Sequence, residues 1–218
     1  MTDFSIKELE ALCQRAARGA YMPWGLADDA ARAVGWLEKA SLPCLPQFVG
    51  LLRLNDGADM ETLTVNHHDD RTLTKAGGNA CPILIGTYLC DGQQTLDLEN
   101  GVQIEQVAYP CLLLPFLSGI SATNGCDLAV DWGNFEAIVY EDGVQISSGH
   151  ADLESSLSER VQVTKRVPAL HTENAPQTRV QVGADDLSAL TGFAARTYLP
   201  ETELSRATGA GGGNVDDG

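Results

Sequence analysis

The first apolar positions, Ile6, Leu9, Cys13, Ala16 and Ala20, recur at intervals of three and four, while Lys7, Glu10, Gln14 and Arg18 fall on another face. That period predicts an amphipathic helix from about Ile6 to Ala20. Its start is also written in the sequence. Ser5 suits the N-cap, Glu8 three residues on completes a capping box, and Phe4 with Leu9 makes a hydrophobic staple. A second helical period, Trp24, Ala27, Ala31, Val34 and Leu37, begins near Pro23, carries Asp28 and Asp29 toward its N-terminal end, and runs to about Ala40. The small residues Ala16, Ala17, Gly19, Ala30, Ala31 and Gly35 let two such helices approach closely, which predicts a helical hairpin. The prolines at 43 and 46 interrupt the pattern, and Gln47 to Leu54 reads as a shorter third helix.

From about Thr62 the spacing becomes that of strands. Ile83 to Leu89 is an apolar run read as a buried strand, and Cys111 to Leu117 is a run whose type the periodicity leaves open. Between Cys126 and Ser147, Leu128, Val130 and Trp132 alternate, Gly133-Asn134 turns the chain, Phe135 to Tyr140 returns, and Glu141-Asp142-Gly143 turns it again, predicting a three-stranded meander. Arg160 to Lys165 and Arg179 to Val182 repeat valine at period two. A last helix is predicted after Asp185 as N-cap, with Leu187, Leu190, Ala194 and Tyr198 on one face, stopping before Pro200. Helices first, then strands, then a helix predict an α+β fold: an N-terminal helical hairpin, a central mostly antiparallel sheet, and a C-terminal helix with a Gly-rich tail. Residues 1–207 are read as one compact domain and residues 208–218 as an acidic tail with no apolar face to bury.

Charge narrows the functions open to such a chain. Thirty acidic against 14 basic side chains leave a net charge of −16, and the bases are scattered. A field of that sign repels phosphate backbones and anionic lipids, so neither nucleic acid nor membrane is an expected partner. No apolar stretch reaches membrane-spanning length and no export signal is read at the N-terminus, so a cytoplasmic protein is expected. In that setting the six cysteines read as buried thiols rather than a disulfide framework.

The motifs of common chemistries are absent: no G-x-S-x-G, no P-loop, no G-x-G-x-x-G, no C-x-x-C. Asn66-His67-His68-Asp69-Asp70 is rich in metal-capable groups, but a site needs a further ligand such as His150 or His171, and a ligand-free loop is the simpler reading. No metal site is therefore assigned, and no cofactor is identified. Ser148-Gly149-His150-Ala151-Asp152 holds the residue types of a catalytic triad, which local succession does not make. Gly209 to Gly213 of the tail offer backbone N–H groups for an anion, with Asp216 and Asp217 for a cation, though a flexible terminus is the simpler reading. More suggestive are Arg18, Trp24, Arg196, Tyr198, Glu201 and Arg206, cations and aromatics near helix ends where a small carboxylate or planar ligand is well held. The plainer reading is surface ion pairing, as between Arg32 and Asp28 at i, i+4.

Two stretches carry a family resemblance. Glu8-Leu9-Glu10-Ala11-Leu12, continuing through Ala16-Ala17-Arg18-Gly19-Ala20 to Trp24-Gly25-Leu26-Ala27-Asp28-Asp29-Ala30, and Arg196-Thr197-Tyr198-Leu199-Pro200-Glu201-Thr202-Glu203-Leu204-Ser205-Arg206 with Gly209-Ala210-Gly211, resemble a bacterial family of uncharacterised proteins of about this length, domain of unknown function 3726. The resemblance implies no activity, but it gives the tail a place in a family pattern from which Tyr21 and residues 212–217 depart. The expectation drawn from the residues is a small-molecule metabolic protein, an enzyme or enzyme subunit. Its site lies between the N-terminal helices and the C-terminal helix, with Arg18 and Arg196 as anion anchors, Trp24 and Tyr198 as aromatic walls, Arg206 as a further ligand-binding residue, and Glu201 as acid or base. The alternative is a non-catalytic module of a homo-oligomer or larger complex.

Overall fold

A computed structural model describes residues 1–42, 44–58, 65–69, 72–75, 78–92, 97–171 and 175–198. The order of elements is β1 (Thr2–Ser5), α1 (Ile6–Gly19), α2 (Trp24–Lys39), α3 (Leu45–Asn55), β2 (Val65–Asp69), β3 (Thr72–Lys75), α4 (Pro82–Gly92), β4 (Val102–Ala108), α5 (Leu114–Asn124), β5 (Asp127–Trp132), β6 (Phe135–Tyr140), β7 (Gly143–Ser148), β8 (Leu157–Arg166), β9 (Arg179–Val182) and α6 (Ala184–Ala195). The fold is α+β. Seven strands form a mixed sheet in the order β2-β3-β4-β8-β5-β6-β7, antiparallel throughout except for β3 beside β4, and β1 pairs separately with β9.

The local reasons are largely those read from the pattern. The capping box of α1 is formed: the Ser5 N–H donates to Glu8 Oε2 at 2.8 Å and the Glu8 N–H to Ser5 Oγ at 3.3 Å, and the bond from the Ser5 backbone holds the Glu8 carboxyl below its ordinary range. Ile6, Leu9, Leu12, Cys13, Ala16 and Ala17 bury one face. At its other end the Met22 N–H reaches back to Ala17 O and the Tyr21 N–H to Arg18 O, both at 3.0 Å, which is a Schellman stop. The pivotal left-handed residue in such a stop is usually glycine; here it is Tyr21, at φ +65°. α2 ends in the same way on Ser41, at φ +62°.

The meander is present as β5, β6 and β7, with Leu128 opposite Val139 and Val130 opposite Ala137. Along β4, β5, β6 and β8 the buried residues alternate with polar ones, so that Ile104, Val130, Val139, Val161 and Val163 face the core and Glu105, Asp131 and Arg160 the open side. α5 packs on β5, β6 and β7, α2 packs on both α4 and α5, and the helical layer and the sheet share one contiguous apolar core.

Three expectations are corrected and one left open is settled. Ile83 to Leu89 is not a strand but most of α4, because Pro82 opens a helix and the run is apolar on all sides, with Gly86 lying under the Phe116 ring of α5. The open run at Cys111 divides into a 3-10 turn, Pro110–Leu113, and the start of α5. The last helix is capped at Gly183 rather than Asp185, which falls in its first turn, and Tyr198 lies beyond the helix and exposed, not on its buried face. Arg32 pairs with Asp29, one residue nearer than the predicted Asp28, which instead accepts from Gln14 of α1. The chain's first strand, β1, carries no alternating apolar pattern of its own and is made by its pairing with β9. The Gly-rich tail lies outside the described residues.

Candidate site at the junction of α1, α2 and α6

α1 and α6 meet unusually closely. A Cβ on Gly19 would lie 1.8 Å from the carbonyl oxygen of Phe193, so only glycine lets the last turn of α1 rest on the α6 backbone. Behind that contact Leu190, Phe193 and Ala194 are buried. After Ala195 the chain makes one more hydrogen-bonded turn, with Arg196, Thr197 and Tyr198 N–H groups donating to the carbonyls of Phe193, Ala194 and Ala195. Tyr198 is thereby delivered beside α1, where Arg15 Nη1 donates to its hydroxyl at 3.3 Å.

Arg18, three residues after Arg15 on the same helix face, stacks its guanidinium 4.5 Å above the centre of the Trp24 ring and donates to the Met22 carbonyl. Trp24 opens α2, so the short Schellman link from α1 sets the distance between cation and ring. Arg196 takes a different partner: it bonds Asp56, just past the end of α3, at 2.6 Å, lies 4.6 Å over the Phe193 ring, and has its ionisation reinforced first by the Asp56 bond. Tyr21, Trp24 and Tyr198 are 67, 67 and 65% exposed. The arrangement is an open face with three aromatic rings, one neutralised arginine, and two arginines, Arg15 and Arg18, that have no carboxylate partner among the described residues.

Of the residues singled out from sequence, Arg18, Trp24, Arg196 and Tyr198 lie at this junction, with Arg196 committed to Asp56; Glu201 and Arg206 lie outside the described residues. Arg15, Tyr21 and Asp56 were not anticipated. The i, i+3 spacing of Arg15 to Arg18 was available as a signal; nothing local announces Asp56, which arrives from α3.

The other candidate groups have structural tasks. His171 Nε2 meets Asp127 Oδ2 at 2.7 Å, its ring stacks on Tyr140 with centroids 3.9 Å apart, and the Ala169 N–H donates to the same carboxylate oxygen, pinning the chain after β8 to the sheet. Ser148 donates to the Asn134 carbonyl, Asp152 accepts from the Asn134 N–H at 2.7 Å, and His150 is exposed, so the three residues make no triad. The backbone of His67 and Asp69 is extended in β2, while Asp70 and the side chains of that group lie outside what is described. Among the described residues no three His, Cys, Asp or Glu side chains converge as metal ligands. The open side of the sheet carries a shallow cleft of about 790 Å³ where Glu105, Asp131 and Arg160 meet, and burial raises the Asp131 carboxyl above its ordinary range.

A model of the family described as "Protein of unknown function (DUF3726)" matches residues 4–81. The match supports membership of that family, as the resemblance implied, and it covers α1, α2 and α3 but not α6. No curated protein matches the chain. Among solved structures, malate dehydrogenase from Entamoeba histolytica is similar over 63% of this chain and 43% of its own, at 12% identity and a TM-score of 0.42. The chain thus spans less than half the length of that enzyme. Among the described residues no helix is long and apolar enough to cross a membrane.

Proposed function

We propose that the protein works by binding an anionic group at the junction of α1, α2 and α6, with Arg15 and Arg18 as the anchors and Trp24 and Tyr198 as flanking aromatic surfaces. The observation that carries the proposal is the pair of arginines without carboxylate partners among the described residues, set between exposed rings in a chain whose net charge is −16. Guanidinium groups favour carboxylates and phosphates, and an arginine already oriented on an aromatic ring loses less freedom when it binds. Arg196 serves this face as a strut rather than an anchor, since Asp56 already holds it. No reaction is assigned to the face, and the protein is placed here as a binding protein or as a subunit that supplies binding.

The test is a titration of the full chain with citrate at low salt, followed by tryptophan emission. Trp24 dominates that signal's response to solvent because Trp132 is buried and Trp36 partly so. A saturable change is expected, and it should disappear in an Arg15→Ala/Arg18→Ala double variant. Identical responses from the two proteins would remove the proposal.

A further inference from the structure

Resting on that reading, we infer that the occupant of the face is an acidic polypeptide segment rather than a free metabolite. Small-molecule sites enclose most of their ligand's surface, usually in a concavity. Here each of the three rings is about two-thirds exposed, and a metabolite resting among them would keep much of its surface in water. Tyrosine, tryptophan and arginine are instead the residues that dominate the energetic centres of protein interfaces, where large rigid rings are covered by a partner.

Tyr21 supplies an independent argument. Its backbone holds the left-handed conformation that a Schellman stop ordinarily gives to glycine. A bulky side chain there costs stability, yet the ring is mostly in solvent and offsets little of that cost by packing within the chain. A ring kept at such a position is accounted for by contact with something outside the fold. Tyr21 sits in the link between Arg18 and Trp24, the stacked pair, so it extends the same face.

Charge then selects the partner. Arg15 and Arg18 offer two guanidiniums three residues apart on one helix face, suited to two carboxylates along an extended segment, while the rings take its apolar or aromatic side chains. The chain's −16 field opposes every anionic partner in proportion to its charge, so a segment bearing a few carboxylates is opposed far less than a nucleic acid or a second copy of this chain, which brings another −16.

The experiment uses the full chain and fluorescently labelled poly(Glu,Tyr), read by anisotropy, with citrate and oligouridylate as competitors. Tight binding is expected, weakened about tenfold or more by Arg15→Ala/Arg18→Ala and again by Trp24→Ala. It should be nearly unchanged by Lys7→Ala, which removes a single positive charge from an exposed site. Circular dichroism and urea midpoints verify that each variant is folded. If citrate binds in an arginine-dependent way and the polymer gains nothing over it, the polypeptide inference fails while the anion-accepting face stands. If oligouridylate binds better than the polymer through the same arginines, the partner is nucleic acid and the inference is overturned. If neither anion depends on the arginines, both readings fall.

Discussion

Replacing Gly19 by alanine tests whether the α1–α6 contact builds the face. The added methyl would lie 1.8 Å from Phe193 O and 2.6 Å from its carbonyl carbon, backbone atoms that no side-chain rotation can move aside. Ordinary contact requires more than 3 Å, so the helices must part by more than about 1 Å in a close-packed interior. A gap of that size forfeits roughly a quarter to a half of the dispersion attraction across it, and overpacking of this kind costs about 1–3 kcal/mol. Alanine returns at most about 1 kcal/mol of helix propensity. Because the clash is with backbone, the upper end of that range applies and the net loss should be about 2 kcal/mol, measured as a lower urea midpoint at unchanged m-value. Because Tyr198 is placed by α6 and Arg15 by α1, the same separation should break their 3.3 Å contact and weaken citrate binding. Gly192→Ala in α6 is the control: no atom lies within 4 Å of its added Cβ, and it should gain up to about 1 kcal/mol. A Gly19→Ala protein as stable as wild type would refute the close-contact argument.

Three further outcomes follow from buried polar groups. Burial raises the Glu38 carboxyl above its ordinary value of 4.5, so the folded state holds that proton more tightly than the unfolded chain. The associated stability is present at low pH and is lost as pH rises from 4.5 through the folded value. Glu38→Gln should therefore gain on the order of 1 kcal/mol over wild type near neutral pH, a difference that shrinks toward pH ~4 in urea titrations. Asp127→Ala leaves the Ala169 N–H and the His171 ring without their acceptor and should cost about 2–3 kcal/mol. It should also speed proteolysis around the exposed Val167 and Leu170. A thiol reagent at neutral pH should label Cys90 first, since it alone of the six cysteines is partly exposed, and the others only on unfolding; burial lifts Cys90 itself to about 11, so even that reaction should be slow.

What could be read from the chain was whatever is decided locally. The Ser5–Glu8 capping box, the helical periods of α1 and α2, and the period-two valines of β8 and β9 are short-range signals, and each produced its element. Ile83 to Leu89 misled because a run apolar on every side has no period, and its helical state is set by Pro82 and by Phe116 of α5 resting on Gly86. The candidate site divides along the same line. Arg18 and Trp24 are joined by a short link and could be paired from sequence, whereas the Arg196–Asp56 and Arg15–Tyr198 contacts join distant segments that only the folded chain brings together.

The β1–β9 ribbon has a consequence for how the chain is made. Thr2 pairs with Val182 and Ser5 with Arg179, so β1 waits through the synthesis of every element up to β9 before its backbone groups are paired. Closing a loop of that length carries a chain-entropy term of about 5 kcal/mol, and contacts so distant in sequence tend to slow folding. The apolar face of α1 can pair early with α2, but the side that receives α6 stays bare until α6 has been made. A nascent chain stalled before residue 179 would expose that side and an unpaired strand together, which makes the interval before β9 and α6 emerge one of exposure to chaperones and to aggregation.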